Sequence, residues 1–248
     1  MYAKPMSSLP SAFLLDLDDT ILDDSGGVIA CWREACLTHR ALMNGLDPQA
    51  VFEAVERMRA WYWSDAERHR AGRLDMRSAR REIVRLALAE IGVDDLALAQ
   101  QIGTTYHELR DRAIAPFGDA VATVRWLRSR GCRLALLTNG GTEGQRIKIE
   151  RFGLAPLFDV ILVEGEVGYG KPDPRIYTRA LFELAVPAAE AWMVGDNLEW
   201  DVAAPQRQGM TGIWVDVRGR GLPAGHPVRP DRIITRLADL MTPQARPD

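Results

Sequence analysis

The distribution of apolar and polar positions changes character along this chain. Residues 12–17 read Ala-Phe-Leu-Leu-Asp-Leu, a short apolar run that stops against Asp16, Asp18 and Asp19. Such a run fits a strand covered on both faces, as in a parallel sheet. From about Val28 to Arg112 apolar residues recur at helical spacing, as in Ile83, Leu86, Ala87 and Ile91, and no strand interrupts them. Gly45 to Pro48, Gly72 and Gly92 divide that stretch into about four helices. After Pro116 and Gly118, strands and helices alternate. The predicted strands are Arg133–Leu137, Val160–Val163, Ala191–Val194, Gly212–Val215 and Arg232–Ile234. The predicted helices are Asp119–Arg130, Glu143–Phe152, Asp173–Ala185 and Leu198–Gln208, with one more at the end of the chain.

Repeating βα units imply an α/β fold: a doubly wound, mostly parallel, Rossmann-like sheet with helices on both faces. The helical stretch is then an inserted subdomain, 25–114, within a core made of 1–24 and 115–248. In such sheets ligands bind at the carboxyl ends of the strands, so functional residues are expected where the apolar runs stop.

The net charge of −3, with both signs mixed along 248 residues, gives no electrostatic case for nucleic acid or a membrane surface. A small-molecule partner is expected. Cys31, Cys36 and Cys132 are odd in number and lack zinc or redox spacing, which implies reduced thiols in a cytoplasmic protein. Neither a signal peptide nor a spanning helix is expected, and no feature specifies an oligomeric state. Basic residues are almost all Arg, with Lys only at positions 4, 148 and 171. A Lys kept where Arg is the default points to a need for a compact ammonium, which draws attention to Lys171.

Four strand ends carry chemistry. At the first, period-two geometry sends Asp16 and Asp18 to the same side. At about 4 Å and an effective dielectric near 20, two like charges repel by roughly 4 kcal/mol, so a proton or a cation must relieve them. At the second, Thr138 and Asn139 precede Gly140 and Gly141, a combination that lets a hydroxyl and backbone N–H groups meet a phosphoryl group. At the third, Lys171 lies between Gly170 and Pro172; Gly165 to Lys171 mimics a nucleotide-binding loop, but Pro172 lacks the required hydroxyl and delays the helix. At the fourth, Gly195-Asp196 is followed by Asp201, with Asp196 placed to join a hard-cation site and Asp201 to sit behind it, against Lys171. Each segment taken alone also fits a plain turn or a helix cap.

The order Asp-x-Asp-x-Thr, Thr-Asn, Lys-Pro and Gly-Asp-x-x-x-x-Asp, each at a predicted strand end, resembles the haloacid dehalogenase superfamily over nearly the full length. The helical insert is similar to that family's α-helical cap. The resemblance implies Asp16 as a nucleophile forming an aspartyl-phosphate and binding Mg²⁺, and Asp18 as general acid and base that also lends its backbone carbonyl to the metal. It further implies Thr138, the Asn139 amide and Gly140 at the phosphoryl oxygens, Lys171 as neutralising cation, Asp196 as metal ligand, and Thr20 as the group that orients Asp18. A carboxylate at Asp18 favours phosphate over the family's carbon-directed dehalogenases. Ser25 to Gly27 lack the cap Thr and His of its sugar-phosphate mutases. The passages around Lys171 and Asp196 look most like acylneuraminate phosphatases and pyrimidine nucleotidases, so hydrolysis of a small phosphorylated metabolite is expected. Trp61, Tyr62 and Trp63, among several Arg residues, are read either as core of the insert or as substrate-facing. The competing class is a non-enzymatic phospho-receiver, although receivers are shorter and carry no lid.

Overall fold

In the computed structural model, which describes residues 9–242, the first apolar run forms strand β1, Ala12–Leu15. Its four residues are fully buried, which accounts for the absence of a polar position within it. A short strand β2 (Leu22–Asp23) follows. The chain then passes through five helices: α1 (Val28–Thr38), α2 (Pro48–Ser64), α3 (Ala66–Leu74), α4 (Met76–Glu90) and α5 (Leu96–Ala113). After β3 (Ala115–Pro116) come α6 (Ala120–Ser129), β4 (Arg133–Thr138), α7 (Thr142–Arg151), β5 (Val160–Val163), α8 (Glu164–Val167) and α9 (Pro174–Leu184). The last elements are β6 (Ala191–Gly195), a π-helical turn (Leu198–Ala203), α10 (Ala204–Arg207), β7 (Thr211–Val215) and β8 (Arg232–Ile234). Two compact units result, one running through Asp23 and again from Pro116, the other spanning Asp24–Ala115.

The first unit holds a six-stranded parallel sheet in the order β5-β4-β1-β6-β7-β8. Leu15 lies opposite Leu136 on one side and Val194 on the other, and β4 and β6 continue past the end of β1 by two residues and one. The winding reverses at β1, outward through β4 to β5 and then, on the other side, through β6 to β8, and a crevice opens at such a reversal. Ala12, Leu14, Ala135, Leu137 and Met193 pack with Ile176, Tyr177, Ala180 and Leu184 of α9 on one face. Phe13 points to the opposite face by the period of two, edge-on to Trp192 at 5.4 Å between ring centroids.

The helical unit has its own core, built on residues such as Trp32, Val51, Val55, Ile83, Ala87, Ile102 and Tyr106. The rings of Trp32 and Tyr106 stack at its centre. It differs from expectation in having five helices, because Gly72 lies inside α3 and does not break the chain. That glycine serves close approach: a Cβ there would stand 2.9 Å from ring atoms of both Tyr62 and Trp63. The breaks fall instead at Asp65 and Asp75, whose carboxylates accept the Arg68 and Ser78 backbone N–H groups at 2.9 and 3.0 Å. Tyr62 and Trp63 pack on the unit's core, whereas Trp61 is half-exposed with the Arg68 guanidinium 3.8 Å above its ring.

Two elements of the first unit also differ. The helix expected over Leu198–Gln208 is split into the π-helical turn and α10, and the terminal helix is a short 3₁₀ segment, Leu237–Met241. All three cysteines are buried and unpaired. No described helix is long and apolar enough to cross a membrane.

Candidate active site

The carboxyl ends of β4, β1 and β6 converge on a cluster of charged side chains. The Asp16 N–H still donates to the Val194 carbonyl at 3.0 Å, so strand geometry carries the Asp16 side chain to the end of β6. Its Oδ1 accepts from Lys171 Nζ at 2.6 Å, and its Oδ2 from the Thr20 hydroxyl at 3.1 Å. The structure thus corrects the place expected for Thr20, whose hydroxyl meets Asp16 and not Asp18. The turn folds Thr20 back beneath the strand end, within hydrogen-bond reach of the nearer acid.

Lys171 is 1% exposed and donates also to Asp201 Oδ1, at 2.7 Å. Its backbone is held by the Asn139 side chain, whose Nδ2 donates to the Lys171 carbonyl at 2.6 Å while its Oδ1 accepts the Lys171 N–H at 2.8 Å. A Cβ at position 170 would stand 2.5 Å from Asn139 Oδ1, so only glycine lets this brace close. The Lys171–Pro172 peptide is cis. The preceding segment forms α8 and a left-handed turn at Gly168, unlike a loop that runs straight from phosphate into helix.

Asp201 owes its position to the π-helical turn after β6. Its N–H donates to the Asn197 carbonyl at 2.8 Å, and its Oδ2 accepts the Asn197 N–H at 3.0 Å. The wide turn brings the carboxylate under the strand end, a use to which such turns are often put. Gly195 makes room for it, since a Cβ there would fall 2.3 Å from Asp201 Cγ. The main chain of Asp196 is anchored by the indole N–H of Trp214, which donates to its carbonyl at 2.7 Å.

The charge balance of this cluster is poor without a further cation. Carboxylate oxygens of Asp16, Asp196 and Asp201 lie within 4.8 Å of one another, against a single ammonium. Burial, partly offset by Lys171, raises the Asp16 carboxyl to about 6. Burial together with Asp16, Asp201 and Asp19 pushes Asp196 to about 9. Burial disfavours the Lys171 ammonium, yet Asp16 and Asp201 outweigh it and hold the charge firmly. The Asp196 side chain takes no hydrogen bond from the described residues. Hard oxygen donors crowded this closely, one of them unpaired, suit a small divalent cation.

Asp18 has separate partners. Its Oδ1 accepts from Lys148 Nζ at 2.8 Å and its Oδ2 from Gln145 Nε2 at 2.9 Å, both on α7. The same Gln145 nitrogen contacts Thr138 Oγ1 at 2.5 Å and the Asn139 carbonyl at 2.8 Å. Because Thr138 Oγ1 accepts there, its own proton can be directed at another acceptor. Gly140, expected to offer its amide to an anion, instead donates it to buried Glu164 Oε2 at 3.0 Å. That contact satisfies a carboxylate that would otherwise be costly to bury. Gln145, Lys148 and Glu164 were not among the residues singled out from sequence. For Lys148 the scarcity of lysine applied as much as it did for Lys171.

The structure therefore brings Asp16, Lys171, Asp196 and Asp201 into one cluster and joins Asp18, Thr138 and Asn139 to it through Gln145 and the Asn139 brace. The arrangement offers a buried carboxylate paired to an ammonium, a second carboxylate held from α7, and a hydroxyl donor. Those are the parts that transfer of a phosphoryl group needs, since positioning and charge neutralisation dominate that chemistry.

Comparison with known proteins agrees with this geometry. A family model described as haloacid dehalogenase-like hydrolase matches residues 10–209. The chain is similar to the phosphoserine phosphatase of Thermus thermophilus, at 35% identity over 94% of its own length and 98% of the relative's. It is also similar to the N-acylneuraminate-9-phosphatase of Rattus norvegicus, at 31% identity over 60% of each chain. Among solved structures, a 2-haloacid dehalogenase of Pseudomonas syringae superposes with a TM-score of 0.62 at 27% identity, covering 94% of this chain and 97% of that one.

Proposed function

Since the chain belongs to the haloacid dehalogenase-like hydrolase family, we propose that it hydrolyses a small-molecule phosphomonoester through an aspartyl-phosphate on Asp16. The observation that carries this reading is the buried pairing of Lys171 with Asp16 and Asp201 beside the uncompensated carboxylate of Asp196. An Asp16 oxygen attacks phosphorus, the ester P–O bond breaks, and Asp18 gives a proton to the departing alcohol. Asp18, now ionised, takes a proton from water, whose oxygen attacks phosphorus and frees Asp16. Thr138 donates its hydroxyl to a phosphoryl oxygen, the Asn139 N–H adds a second donor, and Lys171 offsets the charge that builds up on the group in transfer. Asp16, Asp196 and the main-chain carbonyl of Asp18 would hold Mg²⁺, which supplies further neutralisation of phosphoryl charge when bound.

The substrate class follows the relatives: phosphoserine is the first compound to test, because that relative aligns over nearly the whole chain. Acylneuraminate phosphates, sugar phosphates and nucleoside monophosphates come next. Recognition of the leaving group is assigned to the Asp24–Ala115 unit as an inserted cap, with the core limited to the phosphoryl group. The buried, unpaired cysteines support a reducing, cytoplasmic setting.

A second reading is dehalogenation of a 2-haloacid, favoured by the similarity to the Pseudomonas syringae structure. The purified protein is assayed with Mg²⁺ for phosphate release from p-nitrophenyl phosphate and for halide release from a 2-chloroacid. Many turnovers of phosphate, abolished in Asp16→Asn and by chelation, are expected. Halide release without phosphate would establish the second reading, and one phosphate bound per chain without turnover would indicate a receiver.

A further inference from the structure

Two side chains of one helix hold the Asp18 carboxylate. Lys148 and Gln145 stand one turn apart on the same face of α7 and take one oxygen each, at 2.8 and 2.9 Å. The two donors are not equivalent. Gln145 is buried, and its nitrogen is also shared with Thr138 Oγ1 and the Asn139 carbonyl, so it is fixed from several directions. Lys148 reaches Asp18 along a flexible stem that is 18% exposed, and the carboxylate itself is 28% exposed. Of the two oxygens, Oδ1 is therefore the one that can be released at small cost, while Oδ2 stays tied to the group beside which the phosphoryl oxygens bind.

We propose that Lys148 is a positioning residue for proton transfer: with Gln145 it aims Asp18, and it releases Oδ1, which takes up a proton from solvent and passes it to the leaving oxygen. This rests on the phosphomonoesterase reading above and deepens it. It transfers to Lys148 and Gln145 the orienting task expected of Thr20, whose hydroxyl is engaged with Asp16. A lysine suits the task better than the arginine that prevails elsewhere in the chain. A single ammonium can release one oxygen and regain it, whereas a planar guanidinium favours two oxygens at once.

The consequence depends on the leaving group. An alkyl phosphate needs a proton on its departing oxygen, and p-nitrophenyl phosphate departs without one. The test measures kcat/KM of wild type, Lys148→Met, Lys148→Gln and Lys148→Arg on phosphoserine or another alkyl monoester that wild type turns over, and on p-nitrophenyl phosphate. For Lys148→Met the expected loss on the alkyl ester is about tenfold to a hundredfold, a share of the roughly 10²–10⁴ that a general acid contributes. The aryl ester should lose less than about threefold, a gap that a merely structural role would not produce. Lys148→Arg should recover part of the alkyl rate. Equal losses on both esters, or none on either, would overturn the proposal. Should Lys148→Met fail to fold, as judged by circular dichroism, Lys148→Gln carries the same comparison because it keeps a donor without charge. Absence of phosphate release by wild type from any ester would defeat the phosphomonoesterase reading itself, a result distinct from an unselective Lys148 effect.

Discussion

Lys171→Met removes an ammonium from a buried site while keeping the length of the stem. The ammonium sits 2.6 Å from an Asp16 oxygen and 2.7 Å from an Asp201 oxygen, and at an effective dielectric of about 20 each contact is worth roughly 6 kcal/mol of attraction. The variant does not lose that sum, because a carboxylate stripped of its partner can bind a proton. Protonating an ordinary aspartate costs about 1.4 kcal/mol for every pH unit above its usual value near 3.9, hence about 4 kcal/mol at pH 7. This matches the roughly 3–5 kcal/mol found when one partner of a buried ion pair is deleted. The sign of the pH dependence follows. The folded variant holds a proton that its unfolded chain has lost, so its stability falls as pH rises; wild type shares part of that slope because its own Asp16 is raised to about 6, and the deficit shrinks to about 3 kcal/mol at pH 5. Thermal unfolding in EDTA at pH 5, 6 and 7, set against wild type, measures this. At about 2–4 °C per kcal/mol for a chain of this size, the expected loss is about 8–16 °C at pH 7 and about two-thirds of that at pH 5. A deficit that is the same at both pH values would refute the reasoning.

Other consequences are open to measurement. Mg²⁺ binding to the substrate-free protein, followed by calorimetry, should weaken about tenfold per pH unit from pH 9 down to about 6, because Asp196 is pushed to about 9 and must give up its proton to the metal, and more steeply below, where Asp16 is protonated as well; a pH-independent affinity would contradict the assignment of Asp196. Gly170→Ala places a Cβ 2.5 Å from Asn139 Oδ1 and should cost about 1–3 kcal/mol and at least about tenfold in kcat/KM by opening the Asn139–Lys171 brace. Gly144→Ala, inside α7 with no atom within 4 Å of the new Cβ, should instead leave activity intact and add about 0.5–1 kcal/mol of stability. Similar outcomes for the two substitutions in denaturation and steady-state assays would count against the close-approach argument.

The strands were readable from sequence because parallel strands buried on both faces carry unbroken apolar runs, as Ala12–Leu15 and Val160–Val163 do. The helical unit was harder. Gly72 looks like a break, and nothing local reveals that Tyr62 and Trp63 press against it; the capping roles of Asp65 and Asp75 carried the usual Asp-before-helix signature and were available. The split of the helix after β6 follows from the demand that Asp201 reach Lys171, a contact across 30 positions that periodicity does not encode. In the site, strand ends localise Asp16, Thr138 and Asp196, whereas Lys171, expected at a strand end, lies eight residues past β5, beyond α8. The partners of Asp18 come instead from the face of a helix 127 and 130 positions further on. No short-range pattern points to Gln145, whereas for Lys148 the near-absence of lysine was a usable hint.

The place of the Asp24–Ala115 unit between β2 and β3 has a consequence for biosynthesis. A ribosome delivers Ala12–Leu15 first and then the whole helical unit, whose contacts lie within one contiguous stretch and can form early. Both strands that flank β1, Arg133–Thr138 and Ala191–Gly195, emerge only afterwards. Through most of translation a wholly apolar strand of this unit thus waits with both edges open. A nascent chain interrupted before Ala191 would leave one of them exposed, and premature termination in that interval should yield aggregates in place of a truncated enzyme.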